Sequence, residues 1–273
     1  MKMKINVLTT VAALSLAGVA YSQSAGVGQV APVKQVYGNE VFSSDNQKIG
    51  NLNNLVVDLE SGRVLYGVVA ANKGRVGVAP EIFTSTLPSN KELRVKVNKA
   101  KIEGAPQFNG NVDTANGIGE ASFVAQVYQY FGQPAWWQGS TPANEGSFHN
   151  VHKASQVLGM KIEDVNNKSI GKIYDMVVNL PAGRIAYLVM SPNSSLNLGD
   201  NLYVLPPQAF TLSSDQKNLV SNIDQQKLAS SPHFAKGQTP NYSDPTFASQ
   251  VYQYYGKQAW FNTSGNAVQP TGR

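Results

Sequence analysis

The chain has no cysteine, and only three of its 273 residues are histidine: His149, His152 and His233. Disulfides, thiolate metal sites, thiol nucleophiles and a cysteine-linked lipoprotein anchor are therefore excluded. Charge is sparse too: 14% of residues are Asp, Glu, Lys or Arg. There is no basic run or stripe, so nothing points to nucleic acid. There is no Gly-x-Ser-x-Gly elbow and no Gly-rich phosphate loop; Gly110 and Gly117-Ile118-Gly119 read as turn glycines in a polar segment. His149 and His152 stand three apart, a spacing that can hold a metal on a helix. No helix is predicted there, and they read as solvated linker side chains. No metal site and no cofactor is expected.

Long apolar runs are missing except at the start. Lys2 and Lys4 precede an apolar stretch from Val7 to Val19, and Ala20-Tyr21-Ser22 offers small residues at the two positions a signal peptidase reads. The alternative, an uncleaved anchor, needs ~18–20 apolar residues and a basic stop-transfer cluster; the run is shorter and no cluster follows. Residues 1–22 are expected to be a cleaved signal peptide. The remainder carries 20 basic and 17 acidic residues, a net charge of +3. The expected location is periplasmic or secreted, with membrane contact at most peripheral.

What the chain does have is one passage written twice. Residues 49–69 read Ile-Gly-Asn-Leu-Asn-Asn-Leu-Val-Val-Asp-Leu-Glu-Ser-Gly-Arg-Val-Leu-Tyr-Gly-Val-Val. Residues 170–190 read Ile-Gly-Lys-Ile-Tyr-Asp-Met-Val-Val-Asn-Leu-Pro-Ala-Gly-Arg-Ile-Ala-Tyr-Leu-Val-Met, at a constant offset of 121. Leu55, Val57 and Leu59 alternate as in a strand, and Val64, Tyr66 and Val68 form a second one. Glu60-Ser61-Gly62 and Pro181-Ala182-Gly183 lie between, followed by Arg63 and Arg184. A three-residue hairpin loop on a type I turn needs φ near −60° first and φ > 0 third. Pro181 pre-sets the first angle, and Gly62 and Gly183 supply the second. The second strand is apolar on both parities, so a helix or the other repeat is expected to cover its outer face.

Around this hairpin the same order recurs. Residues 23–35 read as a flexible lead-in. Asp45-Asn46 and Asn166-Asn167 mark turns, strands end before Pro80 and Pro207, and single helical turns stop at Pro106 and Pro232. A helix closes each copy, from Ser122 to Gly132 and from Thr246 to Gly256, with Phe123, Val127 and Phe131 on one face. Asp244 is placed as an N-cap with Pro245 after it, and Gly132 and Gly256 as C-terminal caps. The expected fold is mainly β: two tandem small β-barrels, each followed by a short amphipathic helix. Repeat 1 spans residues 36–137, a polar linker 138–150, repeat 2 residues 151–261, and a flexible tail 262–273.

The order Ile-Gly-x-x-x-Asn/Asp-x-Val-Val-Asp/Asn-Leu-x-x-Gly-Arg-x-x-Tyr, a strand ending at Pro80 or Pro207, and Lys101-Ile102-Glu103-Gly104-Ala105-Pro106-Gln107-Phe108 together resemble the PRC-barrel domain. That domain is named for the H subunit of the photosynthetic reaction centre and also occurs in a ribosome-maturation factor. The resemblance covers residues 36–108 and 155–234. It implies a small barrel of five or six strands that docks onto partners, with no active site. Members often carry acidic residues on both sides of the Val-Val pair; here the positions hold Asn54 and Asp58, then Asp175 and Asn179, one carboxylate per copy. That weakens paired-carboxylate or cation chemistry.

The aromatic endings are the sharpest functional lead. Tyr128, Tyr130, Trp136 and Trp137, with Tyr252, Tyr254, Trp260 and Phe261, are dense for surface helices, and Trp and Tyr dominate binding hot spots. The competing reading is that these rings only fasten the helices to their barrels. Trp137 and Tyr130 are the expected exposed contacts. The expected function is a non-catalytic exported binding or assembly module that docks a protein partner in the cell envelope, with self-association open. Alternatives are an envelope-surface protein contacting lipid or glycan through these aromatics, and an enzyme with a site between the barrels.

Overall fold

The computed structural model describes residues 26–85, 92–108, 121–137, 148 and 150–261. Repeat 1 runs β1 (Ala31–Pro32), α1 (Val33–Val36), β2 (Glu40–Phe42), β3 (Lys48–Asp58), β4 (Arg63–Ala71), β5 (Gly74–Val78), β6 (Glu92–Arg94), α2 (Lys99–Glu103) and α3 (Ala121–Phe131). Repeat 2 runs β7 (Val151–Lys153), α4 (Ala154–Val157), β8 (Lys161–Glu163), β9 (Ser169–Asn179), β10 (Arg184–Pro192), β11 (Asn201–Leu205), β12 (Thr211–Leu212), β13 (Leu219–Val220), α5 (Gln225–Ala229), β14 (His233–Ala235) and α6 (Pro245–Tyr254). The fold is mainly β. Each repeat is a curled sheet wound about the long strand β3 or β9, and the described strands join into one 14-stranded sheet.

The duplicated hairpins are present. Gly62 and Gly183 have φ of 64° and 60°, and the Gly183 N–H donates to the Leu180 carbonyl at 2.8 Å, closing the turn. Strand pairing begins at Asp58↔Arg63 and Asn179↔Arg184, so four residues connect the strands rather than three. Leu59 and Leu180 are buried and lie outside the ladder. The simple alternation expected for the strands is also corrected. Bulges leave Asn53 and Leu65 unpaired in repeat 1, and Tyr174 and Ala186 at the same positions in repeat 2. A bulge bends and twists its strand, which is how an 11-residue strand wraps around a small barrel. Gly50 and Gly171 serve the same curvature. A Cβ at Gly50 would lie 1.8 Å from the Ala70 carbonyl oxygen, and one at Gly171 2.5 Å from that of Ser191.

Both faces of β4 and β10 are buried, and a helix covers one of them. Phe123 of α3 meets the ring of Tyr66 edge-on at 5.3 Å, and Phe247 of α6 meets Tyr187 at 6.0 Å. Asp244 caps α6, accepting from the Thr246 N–H at 2.8 Å. Asn98 and Asp224 cap α2 and α5 in the same way.

The lead-in is not loose where it is described. Val27, Val30, Ala31, Val33 and Val36 are buried, and the segment crosses to the other repeat. Strand β1 pairs with β9 (Ala31↔Val178), and β7 pairs with β3 (Val57↔His152). With the offset of 121 these are one interaction seen twice. Each repeat lends its opening arm to its neighbour about a pseudo-twofold axis. The hairpin ends seal the same axis: the Val64 N–H donates to the Gly183 carbonyl at 3.0 Å, and the Ile185 N–H to that of Gly62 at 2.9 Å. The expected signal peptide and tail, and most of the expected linker, lie outside the described residues.

Candidate functional site

The two hairpin bonds on the axis flank a single cross-strand pair, Arg63↔Arg184. In an antiparallel ladder that position is a non-hydrogen-bonded pair, whose side chains rise close together on one face. Two guanidinium groups therefore stand side by side where the repeats meet. Each has a tryptophan of its own repeat against it. Arg63 lies 3.9 Å from the Trp136 ring centroid, and Arg184 5.9 Å from that of Trp260. Burial and the Arg63 charge push Arg184 down to about 10, and the nearby Tyr252 and Tyr128 hydroxyls oppose the shift.

The rings extend outward from this centre. Trp137 meets Trp136 edge-on at 5.4 Å and Tyr128 at 5.0 Å, and Phe148 closes on both tryptophans. In repeat 2, Phe261 takes the place of Trp137, meeting Trp260 at 5.1 Å and Tyr252 at 5.2 Å. Trp136, Trp137 and Trp260 are half-buried, while Tyr128, Tyr252 and Phe261 are buried. The indole N–H groups of Trp136 and Trp260 are both buried without a hydrogen-bond partner. The Tyr252 hydroxyl lies close to Trp260, but it donates to the Ala186 carbonyl and falls short of bonding geometry with the indole.

Tyr130 and Tyr254 sit apart from that cluster. The Tyr130 hydroxyl donates to the Lys101 carbonyl at 2.8 Å, and that of Tyr254 to the Lys227 carbonyl, so each ties its closing helix to α2 or α5. Lys101 also lies over the Tyr130 ring, 4.0 Å from its centroid. Tyr130 is half-buried rather than the exposed ring expected.

The four positions beside the Val-Val pairs are buried, and three of them, Asn54, Asp175 and Asn179, reach the other repeat. Asn54 accepts from Tyr37 at 3.0 Å, and its amide donates to Ser155 at the start of α4 at 2.8 Å. Asp175 faces α1 from the matching place: burial raises its pKa, and the Met176 amide, which donates to it at 2.8 Å, then the Lys34 charge and the Lys34 and Val33 amides oppose that rise. Asp58 holds its turn through Glu60 and Ser61, and Asn179 holds its own through Ala182 while donating to Val27 of the other repeat. These roles were missed in the sequence. The signal was present, because Gln35-Val36 and Gln156-Val157 precede both repeats at the same offset.

Other candidate groups are dispersed. His152 lies within β7 rather than a solvated linker; it is partly buried, and burial lowers its pKa against the pull of Asp58. His233 is engaged with the Ser231 carbonyl at 2.7 Å and the Tyr203 ring. His149 lies outside the described residues. Glu81 points at the second hairpin tip, with its Oε2 buried and unpartnered. Burial raises its pKa, while Arg63 and Lys96 act in the opposite sense. A cavity of about 540 Å³ opens beside the junction, between Leu59, Leu188 and Phe210. Glu60 is the one carboxylate in its lining, held by Asn150 at 2.7 Å. Among the described residues no three His, Cys, Asp or Glu side chains gather as a metal site would require.

Curled barrels built on a bulged hairpin, duplicated and joined at the hairpin tips, define a tandem-barrel protein. The family model for the PRC-barrel domain matches residues 30–103 and 149–225, more than half of the chain, and the chain belongs to that family. The matches include both exchanged arms and leave α3 and α6 outside. A search of curated proteins finds no match.

Proposed function

We propose that the chain is a non-catalytic docking module, exported by its N-terminal segment to the cell envelope, where it holds a protein partner. The observation that carries this reading is the half-buried face on the pseudo-twofold axis, where Trp136, Trp137 and Trp260 surround Arg63 and Arg184. Tryptophan and arginine in a partly desolvated cluster are the residues that dominate binding energy when a partner covers them. The polar groups around the junction do not converge as a nucleophile with its base, or as an acid–base pair, which weighs against an enzyme.

The test is crosslinking in the source cell followed by mass spectrometry, with wild type beside Trp137→Ala. Recovery of one partner by wild type and its loss in the variant supports docking. Equal recovery removes this face from the reading. Sedimentation with liposomes or glycans distinguishes the alternative, in which the same rings meet lipid or sugar. Appearance of the processed chain in the periplasmic or secreted fraction tests export.

A further inference from the structure

The arginine pair poses a physical problem. Like charges directly opposite each other in a non-hydrogen-bonded pair repel, and partial burial strengthens the repulsion. No carboxylate of the described residues forms an ion pair with Arg184; the Arg63 charge disfavours its charged form, and only the Tyr252 and Tyr128 hydroxyls oppose that. Arg63 makes further contacts of its own and lies within the field of Glu81. The residue of repeat 2 in the place of Glu81 is Gln208, one after Pro207 as Glu81 follows Pro80, so the second half of the junction carries no matching carboxylate. Arg184 is thus left without a carboxylate partner among the described residues.

A second observation points the same way. Buried indole N–H groups are normally hydrogen-bonded, and here two are not, one beside each arginine. An indole N–H can only donate, and so can a guanidinium. Arg184 and the two indoles therefore offer donors with no acceptor among them, beside the charge of Arg63. The acceptors that satisfy such a set are the oxygens of an anion.

We propose that Arg63, Arg184, Trp136 and Trp260 form an oxyanion-binding site on the pseudo-twofold axis, taking a carboxylate or phosphate group. Arg184 supplies the principal charge-assisted hydrogen bonds, Arg63 adds to the field, and the indoles wall the site and donate. The site does not depend on the docking reading, since a free small ion can fill it.

The chain suits a direct test because its three tryptophans all lie in this cluster, so intrinsic fluorescence reports on it. The full processed chain is titrated at low millimolar concentration with succinate, with inorganic phosphate, and with chloride at matched ionic strength. Low concentration matters because phosphate at high concentration stabilises proteins without a site. The expected result is a saturable fluorescence change with succinate or phosphate and none with chloride. Arg184→Gln is expected to weaken it at least about tenfold, the loss of a charge-assisted bond. Trp260→Phe keeps a ring and removes the N–H, and is expected to weaken binding less. Whichever of the two ions responds identifies the group. Response to neither, or a response unchanged in Arg184→Gln while circular dichroism shows that variant folded, overturns the site.

Discussion

At the scale of single residues, each hairpin tip is held by its backbone angle and by the opposite repeat. A Cβ at Gly183 would meet the Pro80 side chain at 3.6 Å, and one at Gly62 the Pro207 side chain at 3.7 Å. These are ordinary contacts, so the constraint lies in φ rather than in space. Gly183→Ala is expected to cost about 1–2 kcal/mol, the penalty of a left-handed L-residue, read as a lower urea midpoint with unchanged slope. His152 gives a pH signature. Its folded pKa lies below the ordinary 6.5, so its contribution is complete above that value and is lost as pH falls through the folded pKa. Wild type is therefore expected to lose more stability than His152→Gln between pH 7.5 and 5, measured by urea midpoints at both. Equal losses would show that the imidazole charges without penalty.

At the scale of elements, the exchanged arms depend on caps supplied from the other repeat. Asn54 bonds Ser155 at the start of α4, and Asp175 faces the opening amides and the Lys34 charge of α1. Asp175→Ala is expected to destabilise the chain by about 1 kcal/mol, the usual worth of a lost cap. Asp175→Asn keeps the acceptor and removes a charge that burial disfavours. Because a carboxyl with a raised folded pKa loses stability as pH rises through that value, Asn is expected to equal or exceed wild type at pH 7 and to show no such loss. Thermal unfolding of the three proteins at pH 4 and pH 7 checks both the order and the sign. The hairpin, its left-handed glycine and the caps of the closing helix were legible in the sequence, because they are demands of the local backbone that two copies meet with different side chains. The loop length was misjudged by one residue because Leu59 and Leu180 are apolar like strand residues yet lie outside the ladder. The bulges at Leu65 and Ala186 were hidden because both faces there are apolar, so a skipped residue leaves no break in the pattern.

At the scale of the whole molecule, two PRC-barrel domains form one unit about a pseudo-twofold axis rather than two beads on a linker. An isologous contact uses the same patch twice, and here a single chain supplies both copies of it. The arginine pair was invisible in the sequence for the same reason as the exchange. Arg63 and Arg184 were read as two separate turn residues, and only the axis makes them neighbours. Nor could residue types show which partner an arm takes, since Val57 and Val178 offer Ala31 the same apolar strand. The measurement that tests this most directly uses the absence of native cysteine. Paired strand residues stand at Cα separations a disulfide can bridge. Ala31→Cys is combined with Val178→Cys in one variant and with Val57→Cys in another, and each is oxidised mildly and run on a non-reducing gel. The exchanged arrangement predicts that the first pair closes within a single chain while the second stays reduced; closure of the second pair alone would contradict it.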